Sequence, residues 1–180
     1  MSIRQPPDPG LPTLSVVVPN YNHARYLEGA VQAHLDQSAS PLEIIVVDDA
    51  STDDSCAIVE RVAARHPGVR LIRLETNQGV NAAMNRGLRE VRGEYVCFSA
   101  ADDLVTRDFA RRSLDVLAGY PAASFCFSDV AVLLGDSGVM RQSPLFLSER
   151  PCMLSPADMK RFLDRTYYHL PSHTILYQRE

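Results

Sequence analysis

Two pairs of adjacent carboxylates, Asp48-Asp49 and Asp102-Asp103, stand out among the residues of this chain that could do chemistry. Each pair closes a short β-branched or apolar run, and each has hydroxyl or amide groups close by in sequence. Carboxylates gathered at one edge repel one another unless a cation or a hydrogen-bonding ligand lies between them, so the pattern points to hard-cation and nucleotide chemistry. Asp102 or Asp103 could hold Mg2+ or Mn2+ against a diphosphate, where the ion would act as Lewis acid on a leaving nucleoside diphosphate. Tyr21 could stack on a base, and Asp48 or Asp49 could accept the imide hydrogen of a uracil.

The elements that must position these groups follow from periodicity. Short Val/Ile-rich runs at 14–18, 42–47, 69–74 and 95–98 alternate with amphipathic stretches at 24–37, 52–65, 80–91 and 106–117. A βαβαβαβα order with strands apolar on both faces implies right-handed crossovers and a mostly parallel sheet flanked by helices, so the class is α/β. Ligands of such sheets bind beyond the carboxyl ends of the strands. The segments there are Pro19-Asn20-Tyr21-Asn22-His23, Asp48-Asp49-Ala50-Ser51, Glu75-Thr76-Asn77-Gln78-Gly79 and Ser99-Ala100-Ala101-Asp102-Asp103. Ser51 or Thr52 is expected to cap the second helix with Asp53 and Asp54 in its first turn, Gly93 to stop the third, and Thr106 to cap the fourth. Beyond Ala123 a strand at 124–127 and a small antiparallel addition, 130–134 returning through 139–141, are expected, then a helix start at Ser155-Pro156 and a last apolar stretch at 174–177.

Composition bounds the rest. The 180 residues make one domain, and 46% hydrophobic with 22% charged residues is ordinary globular usage. A net charge of −4 with scattered arginines lacks the basic footprint of a nucleic-acid binder. Lys160 is the only lysine, which argues against phosphate-cradling lysine chemistry and against a phosphoacceptor receiver domain. No GxGxxG follows a strand, which argues against a dinucleotide-binding dehydrogenase. Cys56, Cys97, Cys126 and Cys152 form no CxxC pair, so a zinc knuckle and a disulfide framework are not indicated and a reducing compartment fits. No run reaches the roughly 18 apolar residues of a membrane span, and residues 1–13, with four prolines, read as a flexible leader.

Four segments carry a resemblance. They are Ser15-Val16-Val17-Val18-Pro19-Asn20-Tyr21-Asn22, the run from Ile44 through Asp48-Asp49-Ala50-Ser51 to Asp53, Asn77-Gln78-Gly79 with Asn85-Arg86-Gly87, and Gly93-Glu94-Tyr95 leading to Ala101-Asp102-Asp103. In this order and spacing the chain resembles the family 2 glycosyltransferases of the GT-A fold, a Rossmann-like architecture. The resemblance implies a domain over 14–180, the donor-binding portion of a fold left incomplete at its C-terminus. It implies inverting transfer of a sugar from a nucleotide sugar, a UDP-sugar, to an acceptor hydroxyl of a glycan, lipid-linked or protein acceptor, in bacterial envelope or polysaccharide synthesis. The expected location is cytoplasmic, peripheral at the inner face of the membrane. The alternative is a catalytically silent nucleotide-sugar-binding domain.

Carried over by position, Pro19, Tyr21 and Asp49 would surround the base with Asn20, Asn22 and Asp48 close by. Asn77, Gly79 and Asn85 belong to the third motif, and Ala101, Asp102 and Asp103 to the last. Asp102 matches the closing residue of the family's Asp-x-Asp motif and would be the ligand to Mn2+ or Mg2+. Ala100 stands where the opening aspartate would be, which implies weak metal binding. No catalytic base is assigned; Asp129 and Asp158 are the nearest carboxylates that remain. Outside the motifs, His23 and His34 read as solvated helix residues, Cys97 and Cys126 as core, Asn85 as either a ligand or a structural residue, and Tyr167, Tyr168, His169 and His173 as a packed surface segment, with the lining of a donor or acceptor cleft as the alternative.

Overall fold

The strands β1 (Leu14–Asn20) and β2 (Glu43–Asp48) are apolar without alternation because both of their faces are covered. In the computed structural model, which describes residues 10–128, 131–134, 139–142, 154, 155, 157, 159 and 175–179, they pair in parallel with Asn20 opposite Asp48. β3 (Val69–Arg73) adds beyond β2, and β4 (Tyr95–Phe98) adds on the other side of β1, both parallel. Helices α1 (Ala24–Leu35), α2 (Ser55–Arg65), α3 (Val80–Leu88) and α4 (Phe109–Gly119) fall between or after these strands. Antiparallel strands follow: β5 (Phe125–Phe127), a separate pair β6 (Ala131–Leu134) and β7 (Val139–Gln142), and β8 (Ile175–Gln178). The sheet order is β3-β2-β1-β4-β8-β5, so the chain is α/β with a mostly parallel sheet, as its periodicity predicts.

Alternation along β1 divides the core. Val16 and Val18 face a cluster with Leu27 and Val31 of α1, Val59 of α2 and Leu114 of α4, while Val17 faces Ala83 of α3, Val91 and Val96. Burying each such side chain is worth roughly 1.5–3 kcal/mol. α3 lies close on β1 because position 87 is glycine; a methyl there would overlap Val17. At the amino edge the buried Glu43 accepts from Ser15 Oγ, the Arg92 backbone and the Arg70 and Arg92 guanidiniums. Burial pushes the Glu43 carboxyl up, but those donors outweigh it and hold the group below its ordinary value.

Several boundaries differ from expectation, because groups near helix ends are used across loops or in close packing instead. α2 begins at Ser55, because Ser51 Oγ accepts from Asn20 Nδ2 and from the Asn22 backbone. α4 begins at Phe109, and its cap residue Asp108 accepts from Ser38 Oγ, while the Thr106 carbonyl accepts from Gln37. α3 ends at Leu88, so Gly93 does not stop it; Gly93 instead lies against the backbone of Ser15, where any Cβ would collide. Of the expected leader, Leu11 packs against the core and Thr13 bonds to Glu94 through its backbone and hydroxyl. The last apolar stretch forms β8, which inserts between β4 and β5, antiparallel to both. Met159 bonds back to the Ser155 carbonyl, in keeping with a helix start there.

Candidate functional site

The carboxyl ends of β1 and β4 adjoin at the point where the strand order reverses, the position at which open α/β sheets form their ligand crevice. The segments after β1 and β4 therefore flank one cleft, and those after β2 and β3 continue the same edge.

The first three segments are fastened into one body. Asp48 accepts from Asn20 Nδ2 at 2.8 Å through Oδ2 and from the Ser51 N–H at 2.9 Å through Oδ1. Asn22 Oδ1 accepts from the Thr52 N–H, and Asp53 accepts from the Ala24 N–H, tying the start of α1 to the second loop. Asp49 turns outward from β2 to the third loop, accepting from Gln78 N–H at 2.8 Å and Gly79 N–H at 2.7 Å, one per oxygen. Gly79 itself has φ 87° and ψ 161°, a conformation open to glycine almost alone. Asn22 and Ala50 also adopt left-handed backbone, at φ 57° and 61°.

For Asp48 and Asp49 the donors expected from a cation or a ligand are supplied by the protein itself. Asp48 and Asp49 are buried, and their charge is balanced by backbone and amide donors. Each carboxylate oxygen keeps further acceptor capacity. Asn20 Oδ1 is buried with no hydrogen-bond partner among the described residues, an orphaned acceptor at the end of β1. Cys56, on the first turn of α2, is pushed up to about 11 by burial and by Asp48 beside it, so it stays a thiol.

The fourth segment differs. Ala101 is buried in the core cluster, Asp102 beside it is exposed, and the carboxylate of Asp102 makes no hydrogen bond or ion pair among the described residues. The methyl side chain of Ala100 offers no ligand atom. No cluster of three acidic, histidine or cysteine side chains able to hold an ion occurs among the described residues. The donor set fits an ion that takes one or two carboxylates and draws its other ligands from phosphate and water, as Mg2+ characteristically does.

Of the other expected residues, Tyr21 is 44% exposed rather than packed, Pro19 is half-buried, and Asn77 caps the Gly79 N–H with its side chain at 3.2 Å. Asn85 stands exposed on α3 and makes no side-chain hydrogen bond to a loop among the described residues. Cys97 is core and Cys126 packs against it. His34 is not solvated: it is 2% exposed, bonded to Ser99 Oγ at 2.9 Å, and burial pulls it down to about 4. The signal that would have found it is helical spacing, since Leu27, Ala30, Val31 and His34 form the buried stripe of α1. Asp129, Asp158, Tyr167, Tyr168, His169 and His173 lie outside the described residues.

The family model described as Glycosyl transferase family 2 matches residues 15–180. The putative teichuronic acid biosynthesis glycosyltransferase TuaG of Bacillus subtilis is 33% identical over 125 residues, 69% of this chain and 49% of that protein. Among solved structures, the mannosyltransferase PcManGT from Pyrobaculum calidifontis, in complex with GDP-Man and Mn2+, superposes with a TM-score of 0.67 at 26% identity. The match covers 97% of this chain and 47% of that one. S. aureus TarS 1-349 in complex with UDP-GlcNAc gives a TM-score of 0.57 at 29% identity over 63% of this chain and 33% of that one. The chain thus spans about half the length of such relatives or less. Among the described residues no helix is long and apolar enough to cross a membrane.

Proposed function

This chain belongs to glycosyl transferase family 2, and from that premise we propose that its carboxyl-edge cleft binds a nucleotide-sugar donor, a UDP-sugar, for inverting transfer to an acceptor hydroxyl by the whole protein in polysaccharide synthesis. The observation that carries the reading is the meeting of the loops after β1 and β4 at the reversal of strand order, one bearing Tyr21 and the other Asp102, which has no partner among the described residues.

In this reading Pro19 and Tyr21 form the wall against which the base lies, and Asp49 accepts its imide hydrogen with capacity left over from its two loop bonds. The orphaned Asn20 Oδ1 accepts a further donor from base or ribose. Asp48 and Asn22 keep the first two loops in register, while Gly79 lets the third approach closely beside Asn77, with Asn85 on the helix behind. Asp102 would hold Mn2+ or Mg2+, with Ala101 seating the loop and Asp103 beside it. The ion, when bound, neutralises charge on the departing nucleoside diphosphate. Support for a metal and a nucleotide sugar comes from PcManGT, whose complex holds Mn2+ and GDP-Man. Ala100 favours a second reading, a nucleotide-sugar-binding domain without turnover.

Calorimetric titration of UDP with and without Mn2+, on the chain and on Asp49→Ala and Asp102→Ala, tests this. The expected result is binding strengthened by Mn2+, with that strengthening lost in Asp102→Ala and base-dependent binding lost in Asp49→Ala. Absence of UDP binding under either condition refutes the reading.

A further inference from the structure

We propose that His34 is a positioning residue for the donor loop, setting through Ser99 where Asp102 presents its carboxylate; the inference rests on the donor-site reading above. The buried stripe of α1 asks for an apolar side chain at position 34, and an imidazole stands there instead, 2% exposed. A buried polar ring is costly unless it is hydrogen-bonded, and its partner is the equally buried Ser99 hydroxyl at 2.9 Å. Ser99 is the first residue after β4, and its N–H bonds to the Val17 carbonyl on β1. The imidazole–hydroxyl bond therefore joins α1 to the point at which the loop leaves the sheet.

The same end of α1 also grips the far side of the loop. Gln37 donates to the Thr106 carbonyl at 2.8 Å and accepts from the Ala110 N–H at 2.9 Å. Ser38 bonds through its backbone to the Arg107 carbonyl and through its hydroxyl to Asp108. Between these anchors Ala101 is sunk in the core, so Asp102 rides on a short arch fixed at Ser99, Ala101 and Thr106. The Asp102 carboxylate has no partner of its own among the described residues, so its location is set by the backbone that carries it. With Ala100 contributing no second carboxylate, the affinity for cation and diphosphate depends all the more on the placement of the one that remains.

The test compares the chain with His34→Leu, which suits the apolar stripe but severs the link, and with His34→Gln, whose amide reaches the position of Nε2. UDP is titrated in Mn2+, and uridine, which lacks the diphosphate, is titrated in parallel. His34→Leu should lose about tenfold in Mn2+-dependent UDP affinity, His34→Gln should retain most of it, and uridine should bind all three alike. Where His34→Leu does not fold, Ser99→Ala removes the same bond and should show the same loss. If UDP binding is undiminished in His34→Leu or Ser99→Ala while Asp102→Ala abolishes the Mn2+ effect, the role given to His34 is overturned and the donor site stands. The role is equally overturned if His34→Gln is no better than His34→Leu, or if uridine weakens in proportion. If Asp102→Ala leaves the Mn2+ effect intact, the donor reading falls and this inference falls with it.

Discussion

Acidifying this protein from about pH 7 to about pH 5 should destabilise it by about 2 kcal/mol through His34 alone. Burial lowers this imidazole from 6.5 to about 4, with no charged neighbour contributing. The unfolded chain takes up a proton near 6.5 while the folded chain resists until about 4, so in that window the unfolded state binds more protons. Stability is full above the unfolded value, is lost as pH falls from about 6.5, and stops falling below about 4. The whole displacement, from 6.5 to about 4, is worth about 3.5 kcal/mol at about 1.4 kcal/mol per pKa unit, of which about 2 kcal/mol is lost by pH 5. The assay is urea unfolding at several pH values for the chain and for His34→Gln, which keeps a hydrogen-bonding group but does not titrate. Every other histidine is common to both and cancels. Carboxylates held below their ordinary values by their partners, Glu43 and Glu94 among them, contribute only below about 4.5, outside this window. Parallel stability profiles for the two proteins between pH 7 and pH 5 would refute a neutral, buried imidazole at this position.

Three further outcomes follow from particular geometries. Gly79→Ala should cost about 1–3 kcal/mol, seen as a lower thermal midpoint: nothing lies within 4 Å of the added methyl, so the cost is backbone strain alone at φ 87°. An unchanged midpoint would count against that conformation. Ala50→Gly relieves a left-handed alanine at φ 61° and should raise stability in urea by roughly 0.5 kcal/mol, after the greater freedom of glycine in the unfolded chain is deducted; a loss would contradict it. Glu43→Ala should cost about 1–2 kcal/mol, because it removes the acceptor of the buried Ser15 hydroxyl and of the Arg92 N–H while the partly exposed guanidiniums can turn to water, and unfolding at neutral pH within about 0.5 kcal/mol of the parent would exclude that network as a stabilising one.

How far the sequence carried depends on whether the information was local. The strands at 14–18 and 95–98 were legible because apolar runs of that length, bounded by polar segments, have few other solutions in a chain this size. The loops holding Asp48, Asp49 and Asp102 were legible because strand ends in a parallel sheet share an edge. The start of α2 is not legible at Ser51, because a hydroxyl near a helix start is equally able to bond across loops and local sequence cannot rank a partner 31 residues away in Asn20 above the next turn of the chain. The place of β8 was equally beyond reach, since antiparallel insertion between β4 and β5 is a long-range pairing.

The sequence by itself determined the alternation of strands and helices, the edge at which polar groups collect and the family to which the motifs belong, because each rests on periodicity or on short spacings along the chain. Tertiary structure alone decided which carboxylates are spent and which stay available. Asp49 became a clasp on Gln78 and Gly79, Asp102 was left without a partner among the described residues, and His34 was drawn from the expected surface to a buried bond with Ser99. Desolvation and donor count fix those roles, and both are properties of what folding brings near rather than of what lies next in the chain.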